Sequence, residues 1–254
     1  MFSPKDILAL DFDGVISDSI RECLVVAHNA FAAFARQDNR IEGFEQLDSD
    51  HVDKLRFMRN FIRSGEDYVY ITFALNKGLV LQNQQEFDTF AEEYQNLREQ
   101  FLDIFYKERQ EFSQKKTAQW IRLNPLYEGM QEFLSAFPHK RNLYVITTKK
   151  TEFADKILKG NGVEMAFEQM LHATPDNGKD KIITMLLRKR NVAPARFYFV
   201  DDQVDTLLKV KSSGIHCILA EWGYNNPHQI ELAEKNQIRK MKLHELYEYF
   251  CHLP

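Results

Sequence analysis

Residues 7–20 read ILALDFDGVISDSI, and the reading of this stretch decides the fold. Four apolar residues run into Asp11, a second carboxylate follows at Asp13 with Gly14 behind it, and a third arrives at Asp18. A short apolar run closed by a polar turn is the mark of a strand buried on both faces, as in a parallel sheet. Aspartate is a poor strand former, and carboxylates this close repel one another. The clustering therefore points to a cation held between the acids.

The same form recurs at residues 143–148 (LYVITT), 197–201 (FYFVD) and 215–219 (IHCIL), with amphipathic helical segments at about 130–137, 151–160, 180–190 and 203–213. Strand and helix alternating at these intervals predict a parallel sheet covered on both faces. Gly214 is placed to close the helix before the last strand. Between residues 20 and 124 the alternation stops. ECLVVAHNAFAAFAR, EDYVYITFALNKGL and FDTFAEEYQNLREQFLDIFYKERQEF space their apolar residues by three and four, as helices do. A connection this long does not occur inside a compact α/β unit, so it reads as an inserted helical domain. The expected organisation is an α/β domain from residues 1–19 and 125–254 and a helical domain over 20–124. Asn124–Pro125 and the turn at Glu128–Gly129 mark the return.

Composition narrows the function classes. With 254 residues and a net charge of −4, a broad surface for nucleic acid or anionic membrane is not expected. The short basic runs Lys115–Lys116, Arg188–Lys189–Arg190 and Arg239–Lys240 read as solvated helix faces. Cys23, Cys217 and Cys251 are scattered, which suits free thiols in a reducing compartment. The eight histidines have no metal-ligand spacing. No leader pattern and no run of about 18 apolar residues is found, so a soluble, cytoplasmic monomer or homodimer is expected.

Ligands of an open parallel sheet collect at the carboxyl ends of its strands. Asp11 and Asp13 follow the first strand, Thr147 and Thr148 the second, Asp201 and Asp202 the third, while Lys179 and Lys181 precede a helix beside them. Carboxylates, hydroxyls and an ammonium on one rim suit a phosphate handled with a hard cation, for which Mg²⁺ is the usual choice.

On these motifs the chain resembles the haloacid dehalogenase (HAD) superfamily, in its phosphatase branch with an inserted helical cap. The DxDGxxxDS motif is matched by Asp11, Asp13, Gly14, Asp18 and Ser19. The strand ending in threonine is matched at Thr147, the lysine before a helix by Lys179 with Lys181 as its rival, and the strand ending in an acidic pair by Asp201–Asp202. The resemblance implies a Rossmann-like core and hydrolysis of a small phosphorylated substrate through an aspartyl-phosphate. Asp11 would be the nucleophile and Asp13 the acid and base. Thr147 and the lysine would hold phosphoryl oxygens, with Gly14, Ser19 and Thr148 lining the phosphate side. Mg²⁺ would be held by the Asp11 side chain, the Asp13 main-chain carbonyl and an acid of the last motif.

That motif departs from the common Gly-Asp. The interval to Gly214 favours Asp202 over Asp201 as ligand, while the further acid that the family commonly carries four residues on falls at Thr206 counted from Asp202 and at Asp205 counted from Asp201. In the helical segment, Arg59, Arg63 and Lys77 read as exposed helix charges, with contact to the far end of an anionic substrate as the alternative. Asp18 is placed to cap the helix starting near Ile20, and Cys23 reads as a small buried hydrophobe. Asp13 argues against a dehalogenase, which protonates no alcohol. A phosphonate-cleaving relative would need a desolvated Schiff-base lysine in the cap, and nothing in the sequence marks Lys54 or Lys77 as one. A hexose-phosphate mutase and a catalytically idle binding protein on the same fold stay as alternatives.

Overall fold

The computed structural model describes residues 3–251. In chain order the elements are β1 (Ile7–Leu10), α1 (Ile20–Ala35), α2 (Ser49–Met58), α3 (Gly65–Asn76), α4 (Gln84–Glu93), α5 (Arg98–Lys115) and α6 (Thr117–Arg122), then α7 (Met130–Ala136), β2 (Leu143–Thr147), α8 (Thr151–Gly160), β3 (Met170–His172) and α9 (Lys179–Arg190). The chain continues with β4 (Phe197–Asp201), α10 (Val204–Lys211), β5 (His216–Ala220), α11 (Pro227–Lys235), β6 (Arg239–Met241) and α12 (Leu243–Cys251). The described residues fall into two compact units, one of residues 3–18 and 125–251, the other Ser19–Asn124.

The first unit is a six-stranded sheet in the order β3-β2-β1-β4-β5-β6, parallel throughout. β1 sits at the centre, with Ala9 opposite Tyr144 on one side and Phe199 on the other. Successive strand side chains point to opposite faces. Ile7 and Ala9 therefore share a core with Phe197, Phe199 and the apolar stripes of α9 and α10, while Leu8 and Leu10 are buried on the other face. That double burial is why ILAL shows no polar alternation. Chain order reverses across β1 and β4, and in open sheets of this kind the crevice outside the strand ends at such a reversal receives the ligand.

Boundaries differ from the sequence expectation in instructive places. β5 starts and ends one residue later than 215–219, and Gly214, at φ +77°, turns the chain before it. β3 and β6 and the helices α11 and α12 are not anticipated. The run Arg239–Lys240 lies on β6, not on a helix face, where Lys240 pairs with Glu221 and Glu234.

In the second unit α1, α3 and α5 pack together around aromatic rings. Phe73 meets Phe31, Phe90, Tyr94 and Phe101 at ring separations of 5.0–6.1 Å. The long segment over 87–112 is not one helix. It breaks at Tyr94, whose carbonyl accepts a hydrogen bond from the Tyr70 hydroxyl at 2.9 Å, and a 3₁₀ turn follows. Beneath the rings lies an ionic network. Arg109 donates through Nε and Nη2 to the two oxygens of Glu22, both at 2.9 Å, and Trp120 Nε1 donates to Glu22 Oε1 at 3.0 Å. Cys23 is buried as expected, but its sulfur lies 3.2 Å from Arg109 Nη2 rather than among apolar groups alone. Among the described residues no helix is long and apolar enough to cross a membrane.

Candidate active site

β1 ends where the ladder still holds Asp11, whose N–H donates to the Val200 carbonyl at 2.9 Å. β4 ends in Asp201, with Asp202 the next residue. Side-chain oxygens of Asp11, Asp201 and Asp202 lie within 4.8 Å of one another, and all three residues are buried. Lys179, from the first turn of α9, brings its ammonium 2.9 Å from Asp11 Oδ2 and 2.7 Å from Asp201 Oδ2. One ammonium among three carboxylates leaves excess negative charge. Burial pushes the Asp11 carboxyl up to about 7, against the pull of Lys179, and Asp201 adds to the rise. Asp201 is raised for the same leading reason. Burial works against the Lys179 ammonium, yet Asp11 and Asp201 outweigh it and hold its pKa raised.

Three further oxygens are fixed by backbone. Asp11 Oδ1 accepts from Phe12 N at 2.7 Å, Asp201 Oδ1 from Gln203 N at 2.8 Å, and Asp202 Oδ2 from Tyr224 N at 2.7 Å. Gly14, at φ +85°, lies against this last carboxylate. A Cβ there would stand 2.2 Å from Asp202 Oδ2, so only glycine admits both the turn and the acid. These residues fit a divalent cation. The donors are all carboxylate oxygens, as hard cations require, and the glycine cradle brings the Asp13–Gly14 backbone up to the acids.

Thr147, buried at the end of β2, accepts a hydrogen bond on Oγ1 from Lys149 N at 3.0 Å, which leaves its hydroxyl to donate. Thr148 is exposed, and its carbonyl meets the His172 ring at 3.1 Å. Lys149, which follows Thr148 where the family often has Asn-Lys, buries its ammonium and pairs with Asp13 Oδ1 at 3.2 Å. Its position two residues beyond a strand-terminal threonine was the available signal. Lys181 is exposed and donates to the Asp176 carbonyl, so of the two candidate lysines only Lys179 reaches the acids. Asp205 lies in the first turn of α10, outside the cluster. Asp18 does not cap α1: Ser19 is the N-cap residue, and Asp18 Oδ1 accepts from the Tyr224 hydroxyl at 2.7 Å.

The other sequence candidates belong to the helical unit. Ser19 is buried and receives Cys23 N–H on its carbonyl. Arg59 is buried, not exposed, with its guanidinium over the Tyr68 ring at 5.5 Å. Arg63 is half-buried and donates to the carbonyls of Asn60 and Ile62 and to Gln84. Lys77 lies over the rings of Phe73 and Tyr94, and Lys54 pairs with Asp50.

The haloacid dehalogenase-like hydrolase family model matches residues 5–214. No curated protein shows significant sequence similarity to the chain. Solved structures do share its fold. A haloacid dehalogenase-like hydrolase from Streptococcus pneumoniae is 17% identical with a TM-score of 0.61, over 97% of this chain and 99% of its own. A protein from Haemophilus somnus described as a predicted phosphoglycolate phosphatase is 18% identical with a TM-score of 0.61, over 98% and 99%. A HAD family hydrolase from Deinococcus radiodurans, with bound phosphate and sodium, is 15% identical with a TM-score of 0.57, over 98% and 96%.

Proposed function

The chain belongs to the haloacid dehalogenase-like hydrolases, and from that membership we propose that it is a Mg²⁺-dependent phosphatase of small phosphomonoesters. The observation that carries this reading is the buried Asp11 carboxylate, flanked by Asp201, Asp202 and the Lys179 ammonium. Support also comes from the phosphatase description of one structural neighbour and the phosphate bound in another.

In this reading Asp11 attacks phosphorus, the bond from phosphorus to the alcohol oxygen breaks, and Asp13 supplies the proton that the alcohol carries away. Asp13 then takes a proton from water as that water attacks the aspartyl-phosphate, and inorganic phosphate leaves with Asp11 restored. Thr147 and Lys179 donate to phosphoryl oxygens as their charge changes. Asp11, the Asp13 carbonyl and Asp202 would hold Mg²⁺, while Asp201 holds Lys179. When bound, the ion screens the meeting of two anions and polarises the phosphoryl group. The two carboxylates of the last motif thus divide their work, one on the lysine and one on the metal.

Phosphate release from a panel of phosphomonoesters, with Mg²⁺ and with EDTA, tests the reading. Release should require Mg²⁺ and fall at least about a thousandfold in Asp11→Asn. Substantial turnover by that variant would overturn the nucleophile. A sugar bisphosphate in the panel reveals a mutase by isomerised product without free phosphate.

A further inference from the structure

Between β5 and α11 the chain turns through residues 221–226, EWGYNN, to which the chemistry above gives no task. Four hydrogen bonds tie this turn to the loops of the site. Trp222 Nε1 donates to the Val15 carbonyl at 3.1 Å, and the Tyr224 hydroxyl donates to Asp18 Oδ1 at 2.7 Å. The Tyr224 N–H donates to Asp202 Oδ2 at 2.7 Å, and Gln203 Nε2 donates to the Tyr224 carbonyl at 3.2 Å. Gly223 makes the approach feasible, because a Cβ there would stand 2.3 Å from Asp202 Cβ and 2.5 Å from the Gly14 carbonyl oxygen.

We infer that Tyr224 is a positioning residue for Asp202: its phenol, anchored on Asp18, fixes the backbone N–H that aims the Asp202 carboxylate at the cation. The inference rests on the reading of Asp202 as a metal ligand. The physical argument is one of restraint. A ligating carboxylate holds its ion well only when its orientation is set by donors around it, and loss of such a donor costs metal affinity. Here the donor is a backbone group, which has no rotamer of its own. Its direction is fixed by whatever anchors residue 224, and the anchor is a side chain 206 positions earlier. Asp18 thereby gains a task that is neither ligation nor helix capping. Asp202 and the turn become one braced assembly, joined to the first loop of the site through Val15 and Asp18.

Calorimetric titration of the chelator-stripped full chain with Mg²⁺ alone, without substrate, tests this. Tyr224→Phe, which keeps the ring and the N–H but loses the anchor, should bind Mg²⁺ about tenfold more weakly. Asp18→Ala should match it. Asp18→Asn still offers an oxygen acceptor and should stay within about threefold of wild type. The double variant Tyr224→Phe with Asp18→Ala should be no weaker than either single change, since both break one bond. Tyr224→Phe binding Mg²⁺ as tightly as wild type would overturn the inference while leaving the phosphatase reading intact. A wild-type chain that binds no Mg²⁺ would overturn the metal reading, and this role with it. Should Tyr224→Phe fail to fold, Asp18→Ala breaks the same bond from the other side and decides.

Discussion

Lys149 and Asp13 form an ion pair at 3.2 Å in which the lysine side chain is fully enclosed and the aspartate is 23% exposed. A buried ammonium needs a carboxylate, and this one holds the acid that the proposed chemistry moves protons through. Lys149→Met removes the hold and should lower kcat/KM about 10- to 100-fold, more for alkyl phosphates than for nitrophenyl phosphate, because only a poor leaving group needs its proton. Equal losses for the two substrates would separate Lys149 from the acid step.

Lys179 and Lys181 stand two residues apart on α9 but differ in burial and partners. Lys179→Met should reduce kcat/KM by about 10²–10³, the range for losing a donor to developing charge. Lys181→Met should stay within about twofold of wild type. Steady-state kinetics on both variants checks the pair, and a large effect at Lys181 would overturn the assignment.

The Glu22–Arg109 pair is buried within the helical unit, with side-chain exposures of 0% and 5%. Arg109→Met strands a buried carboxylate and should cost about 3–5 kcal/mol in urea unfolding. Replacing both, Glu22→Leu with Arg109→Met, should cost less than the single change, because no charge is left without its partner. A double variant weaker than Arg109→Met would contradict this.

Asp67, near the start of α3, accepts from the N–H groups of Arg63 and Ser64. Burial, with Glu66 beside it, raises its carboxyl from 3.8 to about 6 despite those bonds. The folded chain therefore keeps a proton over a range in which the unfolded chain has lost it. Stability from this group is fully present below the unfolded value and is lost as pH rises through about 6. Relative to Asp67→Asn, which does not titrate, wild-type stability should fall by about 2 kcal/mol between about pH 4 and pH 7. Urea unfolding of both chains across that range checks the slope, and a flat or rising difference refutes it.

How far the sequence could be read depended on burial. Strands β1 and β4 were legible because ILAL and FYFVD are enclosed by the sheet's two layers and carry no polar alternation. β3 and β6 span three residues each and lie at the edges, too short for a pattern to form. At the site, the spacing of Asp11, Asp13 and Gly14 pointed to acids gathered at a strand end, and Asp11 does lie there with Asp201 and Asp202. The choice between Lys179 and Lys181 could not be read, since two steps along a helix turn a side chain to the far face and only packing says which face is inward. Tyr224 escaped notice for a different reason. Its decisive group is a backbone N–H, which every residue but proline possesses and no motif records.

The short outer strands have a consequence for how the protein behaves in a concentrated solution. A sheet's outermost strand offers unpaired N–H and C=O groups to any extended segment that drifts past, and a long flat border invites fibre growth. Here both borders are three residues long, and the β6 border bears the cations Arg239 and Lys240. The outline of the sheet therefore works against templated stacking of one molecule on the next.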